Sequence, residues 1–285
     1  MVKRLLITMF FVLTFQLGST VVTAQTLIFA VHPFLSALEL HERFQPLVDE
    51  FSSRTGYEVV LQISKDYPTH VEALCSGQSD IAFMGPSLYI SARDRNPDVA
   101  LLGVLNGKIP FLRGAIIVRQ DSSLKQLSEL KQHSVAFVSR QSTMGFRLAC
   151  HLLHKAGISL DDLSAYAFLG NHQNVAFAVL AGKFDAGSVK YEAYEQMSDM
   201  GLRVLAEQPK VADHAFVACP QLKPQIAQEI KKVLHHLHES DSGAQILRKI
   251  RLDAVAIRPA CDEDYDSLRL CTECLKAEDL DADNE

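Results

Sequence analysis

The 285-residue chain carries 28 basic and 34 acidic side chains, a formal charge of −6. That balance offers no field to hold a nucleic-acid backbone, so nucleic acid is excluded as a partner. The length suffices for two α/β lobes, each burying its own core.

Met1-Val2-Lys3-Arg4 precedes an almost uncharged apolar run over 5–22, and Val22-Thr23-Ala24 offers small residues for cleavage. This order predicts a secretory signal peptide, residues 1–24, cut near Ala24. An uncleaved anchor is the alternative, because the run is nearly long enough to span a bilayer. Losing Lys3 and Arg4 takes the charge from −6 to −8. Gln25, not a cysteine, follows the cut, so no lipid anchor is expected, and no later stretch is apolar enough to cross a membrane. The expected product is exported and soluble.

Residues 26–31 read as an apolar strand running into His32-Pro33. A helix follows, with Leu38, Phe44, Leu47, Val48 and Phe51 on one side and Gly56 at its close. Residues 57–63 alternate like a strand, and Pro68 then opens a helix carrying Val71, Leu74 and Cys75 that ends at Gly77. A buried strand at 81–84 stops at Gly85-Pro86, and 87–93 returns as a helix. The runs 99–105 and 115–118 are further strands.

The alternation resumes beyond Arg119. A short helix at 124–130 leads to a strand at 135–138. Met144, Leu148, Leu152 and Ala156 then recur every four residues, one helix face closed by Gly157. Strands are expected at 165–169, 184–189, 202–205 and 215–218, with helices at 175–181, 191–197 and 225–237. The stretch 271–285 is an acidic tail, expected to be disordered after Ala277. Strands alternating with helices predict βαβ units and mainly parallel sheets.

In such sheets ligands gather beyond the carboxyl ends of strands. The candidate loops are His32-Pro33, Asp66-Tyr67, Gly85-Pro86-Ser87, Ser142-Thr143, Asn171-His172, Lys190-Tyr191-Glu192 and Asp213-His214. Ser142 and Thr143 stand where a helix begins, with free N–H groups and the positive end of the helix dipole beside them. That is a seat for an anion; capping the helix is the simpler role for Ser142.

Six cysteines lie beyond the leader. Cys75, Cys150 and Cys219 sit in apolar stretches and are expected in the core, whereas Cys261, Cys271 and Cys274 cluster near the polar tail and are the expected bridge formers. Cys271-x-x-Cys274 lacks a haem-type histidine and a second pair at zinc spacing, which leaves a tail disulfide or a redox pair. Metal capture by His151 with His154, or by His235, His236 and His238, is a further alternative. No G-x-S-x-G elbow is present, so no enzyme is expected, and no cofactor.

Ser64-Lys65-Asp66-Tyr67, the run 77–86 (GQSDIAFMGP), Ser142-Thr143-Met144-Gly145-Phe146, Asn171-His172 and the run 179–186 (VLAGKFDA) follow one another in a set order. Together, over 27–268, they resemble the phosphonate/phosphite family of periplasmic binding proteins, the PhnD-like receptors of ABC transporters. The resemblance implies a type II periplasmic binding fold: two α/β lobes, a ligand cleft and two crossover segments. Lobe I would hold 25–113 and 217–270, and lobe II 114–216, with a hinge near Arg113-Gly114 and a return within 213–218. It further implies an oxyanion seat at Ser142 and Thr143 with the N–H groups of Met144 and Gly145. Tyr67 would close on the ligand and His172 would contact the oxyanion. Glu192 and Asp213 fall where family members hold a ligand ammonium group. Met144 replaces a frequent serine and Leu112 a frequent tyrosine, so the pocket departs from the family pattern. The implied protein is a periplasmic monomer that passes a small oxyanion to an inner-membrane permease. The alternative is an exported sensing module for a membrane signalling partner.

Overall fold

The computed structural model describes residues 26–272. The leader with its cleavage site, Cys274 and the acidic end of the tail lie outside the described residues.

The chain opens with β1 (Thr26–Val31), which drives Leu27, Phe29, Ala30 and Val31 into the core. Helix α1 (Ala37–Thr55) starts where the Ser36 hydroxyl accepts the Glu39 N–H. It ends at Gly56, whose φ of 76° suits a residue without Cβ. Its buried stripe is Leu40, Phe44, Leu47, Val48 and Phe51. Then come β2 (Glu58–Ile63), α2 (Tyr67–Cys75), β3 (Ile81–Met84), α3 (Pro86–Arg95) and β4 (Ala100–Gly107).

A second group follows: β5 (Gly114–Arg119), β6 (Ser134–Phe137), α4 (Leu148–Lys155), β7 (Ala165–Phe168), α5 (His172–Leu180), β8 (Ala186–Lys190), α6 (Tyr191–Glu195) and β9 (Leu202–Glu207). The chain then supplies β10 (Ala215–Ala218), α7 (Pro224–His236), α8 (Asp241–Ile250), β11 (Ala254–Arg258) and α9 (Asp266–Thr272).

The strands form two sheets, ordered β11-β4-β10-β3-β1-β2 and β7-β6-β8-β5-β9. These are the two lobes of a type II periplasmic binding fold. The chain crosses between them after β4 and again after β9. The two crossings are tied together: the Leu112 N–H donates to the Val211 carbonyl at 2.9 Å in an isolated antiparallel bridge. Helix α9 packs against both α3 and α4 and so also spans the lobes.

The sheets are mixed rather than mainly parallel. β1 pairs parallel with β2 and β3, and β6 with β7 and β8. β10, β11, β5 and β9 run antiparallel to their neighbours. The strand that follows each crossing, β5 and β10, enters its sheet reversed, which a pattern of alternating elements does not reveal.

Two local expectations change. The stretch 124–130, expected as a short helix, forms one 3₁₀ turn, Leu127–Leu130. The helix expected from Ser142 begins with a π-helical turn, Thr143–Arg147, before α4. There the Ser142 carbonyl accepts both the Phe146 and Arg147 N–H groups, at 3.1 and 3.0 Å. The extra residue rotates the helix face. Met144 and Leu148 are buried, but Ala149, Cys150 and Leu153 then turn inward while Leu152 and Ala156 are only partly covered.

Candidate functional site

The cleft is lined by residues at strand ends on both lobes. β6 leads into Gln141-Ser142-Thr143, β7 into His172 at the start of α5, and β8 ends at Lys190. From the first lobe come His32 after β1, Gly85-Pro86 after β3, Tyr67 in α2 and His214 just before β10. Between them lies a cavity of about 10 Å³, room for a single water. A tetrahedral oxyanion is larger, so the lobes must part to admit one.

Ser142 has the extended backbone of a helix cap, and its hydroxyl accepts the Gly145 N–H at 3.0 Å. Capping and facing the cavity are therefore combined in one side chain. Gly145 has no room for a side chain, since a Cβ there would stand 2.4 Å from Val138. Thr143 reaches across the cleft. Its Oγ1 accepts the Ser87 N–H at 2.9 Å, at the first turn of α3, whose own cap residue Gly85 has no side chain to do so. Two helix N-termini, one from each lobe, thus face the same small volume.

Tyr67 is buried and its phenol is hydrogen-bonded to Ser142; burial raises its pKa against the weaker pull of that hydroxyl. His172 accepts the Lys190 N–H on Nδ1 at 3.0 Å, which leaves the proton of the neutral ring on Nε2. Burial, then Lys190 and His214, hold its pKa well below the usual value. The Lys190 ammonium lies 3.9 Å from the centre of the Phe34 ring. Burial draws its pKa down to about 7, against the opposing pull of Glu192 and Asp213.

His32 and His214 face these donors. His32 Nδ1 donates to the Phe83 carbonyl at 3.0 Å and His214 Nδ1 to the Asp213 carboxylate at 2.8 Å. Burial lowers both, helped at His32 by His214, His70 and Lys190 and at His214 by Lys190 against the opposing pull of Asp213: His214 falls to about 4 and His32 well below its ordinary value.

The family model for the periplasmic phosphonate substrate-binding protein of ABC transporters matches residues 29–265. The chain belongs to this family. This binding protein is 26% identical over 270 residues to the phosphate-import protein PhnD of Mycolicibacterium smegmatis, a match covering 86% of this chain and 84% of the relative. It is 23% identical over 227 residues to the probable ABC transporter phosphite binding protein PhnD1 of Prochlorococcus marinus, covering 73% and 76%. The solved structure of that PhnD1 in complex with methylphosphonate superposes with a TM-score of 0.79 at 21% identity, over 87% of this chain and 97% of the other.

Of the residues expected from sequence, the binding protein brings Tyr67, Ser142, Thr143, Met144 and His172 to the cavity. Gly145 stands behind Ser142, and its N–H is already taken by that hydroxyl rather than offered to a ligand. The two carboxylates do not fit the ammonium role. Asp213, 1% exposed, lies behind His214, where its carboxylate accepts from the His214 ring and backbone N–H and from Arg251. Burial works against its charge, but His214 and Arg251 together hold its pKa below the carboxylate range. Glu192 is paired with Arg43 at 2.8 Å and lies in an outer groove of about 910 Å³ along the crossings. That groove shares Leu112 and Lys190 with the cavity.

His32, Lys190 and His214, which lie in loops expected to gather ligand but were assigned no role there, complete the cavity. Their one sequence signal was position after or before a strand. The five described cysteines form no disulfide with one another, and Cys274 lies outside the described residues. Among the described residues, no group of three or more histidine, cysteine or acidic side chains is placed to hold a metal. His235 instead donates to the Leu102 carbonyl and His236 pairs with Glu239. No described helix is long and apolar enough to cross a membrane.

Proposed function

We propose that this substrate-binding protein captures a small phosphorus oxyanion (phosphonate, phosphite or phosphate) and passes it to an inner-membrane ABC permease. The observation that carries this is the meeting, in one buried cleft, of two helix N-termini with the hydroxyls of Tyr67, Ser142 and Thr143. His172 Nε2–H and Lys190 add a directional donor and a charge. These groups come from both lobes, so a ligand that contacts them all favours the closed arrangement. The printed names of the relatives, phosphate-import and phosphite-binding, point to the same ligand class.

In this proposal the leader is removed near Ala24 and the mature chain works as a periplasmic monomer. Lobe I comprises 25–113 and 213–270 and lobe II 114–212, the return falling just before β10 rather than at 216, and the Leu112–Val211 bridge lies at their hinge. Met144, in place of a hydroxyl-bearing residue, narrows the seat and favours ligands with a small substituent. No bond in the ligand is made or broken.

The test is a thermal-shift and calorimetric titration of the chain from Gln25 with phosphate, phosphite, methylphosphonate, 2-aminoethylphosphonate and sulfate. A ligand present at 100 times its Kd stabilises the folded state by about 2.7 kcal/mol and must raise the midpoint. A shift with at least one phosphorus oxyanion is expected, with no advantage for the amine because Glu192 and Asp213 are already paired. No shift with any of the three simple phosphorus oxyanions would overturn the proposal.

A further inference from the structure

We propose that His32 and His214 are specificity-determining residues that accept hydrogen bonds from a ligand O–H, so that the cleft selects protonated phosphorus oxyanions and rejects sulfonates. The inference rests on the oxyanion reading of the cleft and adds which atoms of the oxyanion are read.

It stands on where the imidazole protons must be. A carbonyl and a carboxylate can only accept. The bond from His32 Nδ1 to the Phe83 carbonyl and that from His214 Nδ1 to Asp213 therefore keep both protons on Nδ1. In each neutral ring Nε2 then carries a lone pair. His172 has the opposite tautomer, because its Nδ1 receives the Lys190 N–H. The cavity thus presents one imidazole donor and two imidazole acceptors.

The two acceptors converge. A methyl carbon built on Gly85 would stand 3.6 Å from His32 Nε2, 3.9 Å from His214 Nε2 and 3.9 Å from Thr143 Oγ1. The rings are stacked 5.6 Å apart at 19°, and His214 lies 4.9 Å from the Phe83 ring, so neither turns freely. Both residues are 2% exposed, and neither Nε2 makes a hydrogen bond among the described residues. A buried acceptor left without a donor costs binding free energy, and a ligand O–H removes that cost.

The surroundings disfavour the alternative of charging the rings. His32 faces His70 at 5.6 Å and Tyr67 edge-on at 5.3 Å, and Lys190 and His172 flank the pair from the second lobe. Arg251 stands behind Asp213, whose charge it already shares with His214. Two adjacent imidazolium groups beside Lys190 would repel one another, and a ligand ammonium would meet the same cations. A P–OH supplies one proton, donated to one of the two converging Nε2 atoms or shared between them, while the ligand stays anionic for Lys190 and the helix N-termini.

Methylphosphonate and methanesulfonate share a tetrahedral shape. Below the second ionisation of phosphorus oxyanions, near pH 6 for phosphate esters, both are monoanions, but only the phosphonate keeps an O–H. Calorimetry of the mature protein at about pH 5.5 should give methylphosphonate at least ~100-fold tighter binding, because a site built to pair a ligand hydrogen rejects the analogue lacking it. Glutamine at either position can rotate an amide N–H inward, so His32→Gln and His214→Gln should each shrink that ratio at least tenfold. Nitrogen NMR of the unmodified protein supplies a readout that needs no variant to fold: His32 and His214 as Nδ1–H tautomers, His172 as Nε2–H. Methanesulfonate binding within tenfold of methylphosphonate, or Nε2–H tautomers at His32 and His214, would overturn the inference and leave the oxyanion reading intact. Failure of phosphate, phosphite and methylphosphonate alike to bind would remove both.

Discussion

The two walls of the cleft are built on opposite principles. The wall from the second lobe is a set of donors at strand-to-helix joins: the Ser142 hydroxyl after β6, His172 opening α5 and Lys190 closing β8. The wall from the first lobe adds, beside the Tyr67 hydroxyl and the start of α3, an aromatic stack whose polar edges are lone pairs. His32 and His214 are braced from behind by the Phe83 carbonyl and Asp213. As proposed, an anion would be attracted by the first wall and its protonation read by the second. Attraction needs only exposed N–H groups and positive charge. Reading a proton needs acceptors whose own hydrogens are committed elsewhere.

Removing the support of the acceptor wall should have the largest effect. Asp213→Asn leaves the partly buried Arg251 with Asp253 as its remaining carboxylate and takes the charged brace from His214, and should cost about 3 kcal/mol in urea denaturation at neutral pH. The sign with pH also follows. The Asp213 carboxylate titrates lower when folded than its unfolded value of 3.8. Its contribution is therefore present above pH 3.8 and lost as pH falls through the folded pKa. On acidification from pH 3.8 towards the folded pKa the wild type should lose stability more steeply than Asp213→Asn. Equal slopes would place the acid-sensitive group elsewhere.

The donor wall is tested by Ser142→Ala. Loss of the cap should cost about 1 kcal/mol, a midpoint lower by about 2–4 °C. Loss of a hydroxyl donor to an anion should weaken methylphosphonate binding by about tenfold or more. A lowered midpoint with unchanged affinity would reduce Ser142 to a cap.

Lys190 joins the two walls, and its effect is on slope. Its folded pKa of about 7 lies below the unfolded 10.5, so between those values the unfolded chain binds more protons. Stability should rise with pH across that window as the burial penalty on the charged form is lifted. Thermal midpoints at pH 7 and 9 should show the rise in the wild type and not in Lys190→Met; the same rise in both would discount Lys190.

Glu192→Gln should be the mildest change. It removes a partly exposed ion pair with Arg43, worth at most about 1 kcal/mol. The preference between 2-aminoethylphosphonate and methylphosphonate should stay as it is. A selective loss of the amine ligand would restore Glu192 to the site.

The fold was legible where burial and spacing agree. The strand at 81–84, the strand expected at 135–138 and found one residue earlier, and most of the α1 stripe are local patterns that stand where expected; Leu38, expected on the buried side of α1, is exposed and Leu40 is buried instead. Less was legible beyond residue 237. There α8 is a ten-residue helix whose Gly243 fits because a Cβ would strike the Leu237 carbonyl, and β11 buries only Ala254 and Ile257. The π-helical turn after Ser142 was also hidden. One inserted residue leaves the four-residue apolar spacing readable while rotating Leu152 and Ala156 away from the core.

By itself the sequence determined where the Ser142 turn stands, because a strand, a hydroxyl pair and a helix start are contiguous and their N–H groups point where the helix begins. The tertiary structure alone decided the acceptor wall and the fate of the carboxylates. Arg43 and Glu192 are 149 residues apart, and Asp213 and Arg251 are 38 apart. Whether a carboxylate greets a ligand or neutralises a partly buried arginine depends on which cation the fold places beside it. Likewise an imidazole becomes an acceptor only once a distant strand supplies the carbonyl that holds its proton.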